Sequence, residues 1–103
     1  MAKFELSVYD ATTEEVIKVH KRNFMPVSLY IRFQQLAEKL EANKVKSDAE
    51  MFAALKDLFC ETFPELTEKE YNEQTDIAEV LIMFRDILEK STHIATAGDS
   101  KNA

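Results

Sequence analysis

The chain has 103 residues, of which 46% are hydrophobic and 31% are charged, with one glycine and two prolines. This length and composition predict one folded domain with a modest core and argue against a disordered linker. A net charge of −6 opposes binding to phosphate backbones, so nucleic acid is not an expected partner. The single cysteine, Cys60, cannot form an internal disulfide, which favours a reducing compartment.

Neither an export signal nor a membrane-spanning segment is expected. Residues 1–10 alternate charged and apolar side chains, whereas a signal peptide has a basic start followed by a continuous apolar run. A membrane-spanning helix needs roughly 18 uninterrupted apolar residues, and no such stretch occurs in the sequence. We therefore expect a cytoplasmic protein with no membrane partner.

The first 22 residues have the pattern of a β-hairpin. Phe4, Leu6 and Val8 alternate with polar residues, as in a strand that covers a core with one face. A turn-forming run at residues 10–13 separates them from the β-branched segment at residues 16–20. Because two strands alone are only marginally stable in water, we expect the hairpin to pack on helices.

Two helices are predicted in the middle of the chain. The first runs from Val27 to about Asn43 with Pro26 at its entry. The second begins at a capping-box pattern, Ser47 to Glu50, and ends before Pro64. Their predicted core faces are Leu29, Phe33, Leu36 and Leu40, flanked by Tyr30 and Ala37, and Met51, Phe52, Leu55, Leu58, Phe59, Thr62 and Phe63.

A short connecting helix and a longer last helix follow. Thr67 to Glu70 forms another capping-box pattern and opens the short helix, which is expected to carry Leu66 and Tyr71 inward. The last helix, about residues 75–92, has apolar residues at helical spacing. Its predicted core residues are Ile77, Val80, Leu81, Phe84, Ile87 and Leu88.

These elements predict an α+β fold that is mainly helical, with an N-terminal β-hairpin packed on three to four α-helices. We expect a single globular domain at residues 1–92, comprising a hairpin at 1–22 and a helical part at 26–92. Residues 93–103 show no apolar periodicity and are expected to form a flexible, disordered C-terminal tail.

The sequence offers little for catalysis, so we expect no enzyme, no cofactor and no metal site. Neither His20 nor His93 has a cysteine or second histidine at metal-ligand spacing. The only glycine, Gly98, lies in the tail, which excludes a glycine-rich phosphate loop. A nucleophilic dyad of Cys60 with a histidine stays open from sequence, although a tolerated thiol is the favoured interpretation.

Charge is segregated along the chain. Residues 18–46 are basic, and residues 48–79 carry ten carboxylates against Lys56 and Lys69. This acidic stretch could attract a basic partner or a second copy of the chain. A solvated polar face is the favoured interpretation, because surface charges contribute little to affinity.

Several apolar residues fall outside the predicted core stripes. At about 100° per residue, Ile31 and Ile82 lie nearly opposite those stripes, Cys60 lies well off its stripe, and Met83 lies at a flank. Single exposed apolar residues are common, but several together favour a binding surface. We hypothesise that Ile31, Ile82 and Met83 form an interface with a partner or a second copy.

Phe24 and Met25 precede Pro26 at the corner between the second strand and the first helix. They could staple the helix entry or form an exposed hook that binds a partner. The staple is the favoured interpretation, and deletion of the side chains should then lower stability before it affects binding.

Two runs carry a resemblance to a known family: residues 23–40, NFMPVSLYIRFQQLAEKL, and residues 51–66, MFAALKDLFCETFPEL. With the order of the elements, they resemble the tail assembly chaperones of long-tailed bacteriophages and prophages of Gram-positive bacteria, over residues 1 to about 92. The family has no catalytic motif, so the likeness depends on element order and general character.

The resemblance implies a non-enzymatic protein that acts in the host cytoplasm. It implies binding to the tape measure protein, which it keeps soluble, and recruitment of tail tube protein subunits before the chaperone leaves the finished tail. Self-association is a further expectation. Members commonly have a longer form made by ribosomal frameshifting, and the Lys101–Asn102 pair is compatible with an adenine-rich slippery run. The rival hypothesis is a small acidic regulatory or adaptor domain unrelated to tails.

Overall fold

A computed structural model describes the backbone of residues 3–102 and the side chains of residues 3–89. These residues form an antiparallel hairpin of β1 (Phe4–Tyr9) and β2 (Val16–Arg22), followed by four helices. The helices are α1 (Val27–Glu41), α2 (Asp48–Thr62), α3 (Glu68–Gln74) and α4 (Ile77–Asn102). The predicted mainly helical α+β fold with an N-terminal hairpin is confirmed.

The two strands contribute different chemistry to the face that lies on the helices. Phe4, Leu6 and Val8 are buried in the core, as their alternation predicted. Their cross-strand partners are Arg22, His20 and Lys18 of β2, so the inner face of β2 is polar. The β-branched residues of β2 are consequently exposed on the outside: Val16, Ile17 and Val19.

One apolar cluster joins β1 to all four helices. Helix α1 packs on α2 and α4, while β1 lies against α3 and α4. Phe33 of α1 lies at the centre, with its ring centroid 5.8 Å from that of Phe59 and 6.1 Å from that of Phe84. The apolar residues predicted for the core faces of α1 and α2 all belong to this cluster or pack against it, and the predicted Thr62 is also buried.

The starts of α2 and α3 follow the capping-box signals in the sequence, with one departure at α2. At α3 both capping-box bonds form between Thr67 and Glu70. At α2 the Ser47 hydroxyl accepts from the Glu50 N–H at 3.2 Å, but the Glu50 carboxylate accepts from Lys46 N–H instead of the Ser47 N–H. The box predicted at Ser47 is therefore only half formed.

The side of α4 that is buried differs from the predicted side. Val80, Phe84 and Ile87 are buried as expected, but Ile77 and Leu81 are exposed and Met83 is in the core. At ~100° per residue the buried stripe is turned toward Met83 by roughly 50°. α1 and β1 both pack on α4, and their positions decide which side is covered.

The end of α4 also lies beyond its predicted position. The helix continues past Thr92, to Asn102. The flexible tail predicted for residues 93–103, and with it His93, lies outside the residues whose side chains the structure describes.

Candidate binding surfaces

The three residues predicted to form an interface do not share a surface. Ile31 and Ile82 are 44% and 47% exposed. Met83 is only 7% exposed and belongs to the core, so its assignment to an interface is wrong. The error arises because the buried stripe of α4 is rotated toward Met83. An unbranched Met then readily fills an irregular gap in the core.

The exposed side of α1 carries a second apolar residue that the sequence analysis missed. Val27 is 75% exposed and lies one helical turn before Ile31, so the two side chains are neighbours on the same face. We call Val27 and Ile31 the α1 patch. The sequence indicates this patch by two β-branched residues that are four positions apart on the side of α1 opposite its core residues.

Phe24 and Met25 have different environments. Met25 is partly buried and packs against the core, as the staple hypothesis expects. Phe24 is 61% exposed, which is the arrangement of the exposed hook. Its ring lies over the Arg22 guanidinium, with 4.8 Å from the guanidinium carbon to the ring centroid.

Arg22 fixes this corner to the C-terminal end of α2. Its Nη1 donates to the carbonyl oxygens of Glu61 at 3.1 Å and Thr62 at 2.8 Å. These carbonyls belong to the last turn of α2, which is the negative end of the helix dipole. Phe24 therefore stacks on a cation that is itself anchored.

An open cleft lies between α2, α3 and α4. Its volume is about 190 Å³, and its wall includes the buried side chains of Tyr71 and Val80. Tyr71 Oη donates to the Phe52 carbonyl at 2.9 Å and so ties α3 to α2, and burial raises the pKa of this phenol. We define the cleft by its lining residues: Phe52, Tyr71, Asn72, Thr75, Ile77 and Val80.

Three exposed carboxylates are close in sequence to residues that line this cleft. Asp48 lies one turn before Phe52 in α2, Glu73 follows Asn72, and Asp76 precedes Ile77; all three are exposed. Nearby, Lys56 is paired with Glu68 at 3.2 Å. The sequence neighbours of the cleft lining are therefore mostly acidic, with Lys56, one turn after Phe52, as a cation among them.

A polar cluster joins the inner face of β2 to α3. Glu70 Oε2 accepts from Lys18 Nζ at 2.8 Å, and Glu70 Oε1 lies 3.2 Å from His20 Nε2. The Lys18 hydrogen bond, with those from Thr67 N–H and His20, holds the pKa of Glu70 below its usual value. Because His20 is buried and hydrogen-bonded here, we interpret the cluster as structural.

Cys60 lies apart from this cluster. Burial raises the pKa of its thiol, which opposes formation of a nucleophilic thiolate. Among the described residues, none of the hydrogen bonds joins Cys60 to a histidine. The part of the chain with described side chains also has no group of three His, Cys, Asp or Glu residues arranged to hold a metal ion.

In the described part of the chain, every helix is too short or too polar to cross a membrane. Comparison with family models, curated proteins and solved structures gives no match to this chain. The functional interpretation therefore depends on the chemistry of the surfaces.

Proposed function

We propose that this protein is a tail assembly chaperone of a long-tailed phage or prophage, without enzymatic activity. It binds the tape measure protein in the host cytoplasm, keeps it soluble, helps recruit tail tube subunits and leaves before the tail is finished. The observation that carries the proposal is the α1 patch: Val27 and Ile31 are exposed side by side on a helix whose opposite face is already buried in the core.

An exposed pair of β-branched side chains suits a helical partner. A tape measure protein is a long helical chain whose apolar stripes stay exposed to water until the tube encloses it. A helical patch with residues at i and i+4 can pack against such a stripe, as amphipathic helices pack in grooves. Many small copies bound along the stripe would prevent aggregation without ATP.

The proposal is tested by co-expression with the tape measure protein. We expect the tape measure protein to stay in the soluble fraction and to co-purify with this chain. Ile31→Lys should abolish co-purification, because it places a charge in the contact. Ile82→Lys tests whether the exposed back of α4 also takes part.

Ile17→Lys is the matched control for Ile31→Lys. Ile17 is an exposed isoleucine on the outer face of the hairpin, so the same substitution changes net charge equally while leaving α1 intact. The control should retain binding. A tape measure protein that stays insoluble beside the wild-type chain would contradict the chaperone proposal and favour the adaptor hypothesis.

A further inference from the structure

We propose that the cleft and the adjoining face of α4 bind a basic amphipathic helix of a partner protein. The inference does not rest on the proposed function, because it uses a different surface from the α1 patch. Three observations support it: an apolar face of α4 that the fold leaves uncovered, a cleft that adjoins this face, and an excess of carboxylates close to both in the sequence.

The apolar face of α4 is wider than the core that covers it. Ile77 and Leu81 belong to the apolar periodicity of this helix, yet they are 61% and 40% exposed. They lie one helical turn apart, so their side chains are neighbours. We call Ile77 and Leu81 the α4 ridge. A second helix packed on this ridge would complete the burial that the sequence pattern predicts.

The cleft adjoins the α4 ridge, because Ile77 belongs to both. Its volume of about 190 Å³ is smaller than the roughly 300–1,000 Å³ that is usual for small-molecule sites. A cleft of this size, with Phe52 and Val80 in its lining, suits one inserted phenylalanine or leucine side chain. A helix lying along the ridge can supply that side chain, as in the helix-in-groove mode of recognition.

The charge near the cleft indicates which kind of helix fits. Asp48 lies one turn before Phe52 on the same side of α2, and Glu73 directly follows Asn72. Asp76 lies between two lining residues, and its Oδ2 accepts from N–H groups in the first turn of α4 at 3.0 and 3.2 Å. All three residues are exposed. Lys and Arg side chains on a partner helix would complement these carboxylates.

The nearby cation, Lys56, does not cancel this negative charge. Its Nζ lies 3.2 Å from a carboxylate oxygen of Glu68 and 3.8 Å from one of Asp57, so its charge is already compensated. None of the ion pairs among the described side chains includes the three carboxylates near the cleft. A basic helix is therefore attracted to this surface, whereas an acidic helix is repelled.

The probe is a synthetic fluorescent helical peptide with Phe, Leu and Leu at positions i, i+4 and i+7 and with Lys or Arg on its polar face. Fluorescence anisotropy measures its affinity for the full chain, and we expect saturable binding of one peptide per chain. One control peptide has Gln at the three apolar positions, and the other has Glu in place of Lys and Arg. Both should bind roughly tenfold more weakly or worse.

Variants of the protein locate the apolar part of the site. Ile77→Gln should weaken binding by roughly tenfold, because it removes an apolar contact from the centre of the interface. Ile17→Gln is the matched control, since Ile17 is 57% exposed on the outer face of the hairpin. This control and Ile31→Lys should both keep the wild-type affinity. Circular dichroism verifies that each variant is folded.

A second pair of variants tests the charge. Glu73→Lys should weaken binding by roughly threefold or more, and added salt should reduce the difference from the wild-type chain. Glu38→Lys makes the same change of net charge on α1, which contributes no residue to the cleft, so its effect should be smaller. Amide NMR spectra should show the shifts caused by the peptide centred on residues 72–81.

Four results would overturn the proposal. The basic amphipathic peptide could bind no more tightly than its two controls, or Ile77→Gln and Ile17→Gln could bind it equally. The NMR shifts could centre on α1 instead of residues 72–81. Ile77→Gln could also lower the mass of the protein alone in sedimentation, which would assign the α4 ridge to a second copy of the chain. None of these results bears on co-purification with the tape measure protein through the α1 patch.

Discussion

Glu70 connects three parts of the fold through one side chain. Its carboxylate accepts from the Thr67 N–H at the start of α3 and from Lys18 in β2, and lies beside the buried His20 ring. The sequence predicted only the first of these contacts, from the capping-box spacing. The others link residues 50 and 52 positions apart, which no local pattern can reveal.

Glu70→Gln tests what the charge of this carboxylate contributes to stability. Gln can keep the capping bond but loses the charge, so we expect the free energy of unfolding at neutral pH to fall by about 1–2 kcal/mol. The pKa of Glu70 is lowered on folding, so its contribution is present above the ordinary value of 4.5 and is lost as pH falls through the folded pKa. Wild-type and variant stabilities should therefore converge in acid.

Urea unfolding at a series of pH values measures this difference. Glu68→Gln is the control, because Glu68 is exposed in the same helical turn and forms only a surface ion pair with Lys56. Its effect should stay within about 0.5 kcal/mol. Equal losses in both variants, or a Glu70→Gln loss that does not depend on pH, would refute the role given to Glu70.

Ile82 and Met83 show which residue positions the helix angles could predict and which they could not. Both were assigned to a surface from their angles on the helix, and the structure exposes Ile82 but buries Met83. Ile82 lies far from the stripe centre, so a rotation of roughly 50° does not change its side. Met83 was at a flank, where the same rotation decides between core and solvent.

At the scale of elements, local signals were reliable because they act within a few residues. Pro26 before α1, Pro64 after α2 and the Thr67 capping box all mark observed ends. Strand β1 also followed its alternation, whereas β2 buries His20 and exposes its β-branched residues. The cleft could not be predicted, because its walls come from α2, α3 and α4 and depend on how those helices pack.

The C-terminal end of α1 is closed by an asparagine in the left-handed conformation. Asn43 has a φ of 57°, and the N–H groups of Asn43 and Lys44 donate to the carbonyls of Leu40 and Lys39. This is a Schellman motif with asparagine in the left-handed position, which Gly and Asn tolerate best. Asn43→Ala should lower the free energy of unfolding by about 1 kcal/mol, since a Cβ without a compensating polar group is disfavoured there.

Asn43→Gly is the informative comparison for that variant. Glycine adopts the left-handed conformation without a steric cost but has more freedom in the unfolded chain, so we expect a change within about 0.5 kcal/mol. Thermal and denaturant unfolding of both variants measure the effect. A Gly variant as unstable as the Ala variant would mean that the Asn43 side chain, not its backbone conformation, stabilises this end.

At the scale of the whole molecule, the hairpin and the helices depend on one core. Leu6 of β1 is buried in the same cluster as Phe33 of α1 and Ile87 of α4. A two-stranded hairpin has little stability of its own, and without it the covered sides of α3 and α4 would be exposed to water. We therefore expect the described part of the chain to unfold as one cooperative unit.

Leu6→Ala tests whether the hairpin and the helices unfold together. Loss of a buried leucine should lower the free energy of unfolding by about 2–4 kcal/mol. Helical circular dichroism follows the helices, and the fluorescence of Tyr9 reports the hairpin in a variant where Tyr30 and Tyr71 are replaced by Phe. In the parent, the two signals should share one urea midpoint. In Leu6→Ala, both should shift together to the same lower midpoint. A helical transition that stays in place while the Tyr9 signal shifts would mean that the hairpin is a separate unit resting on an independently stable helical body.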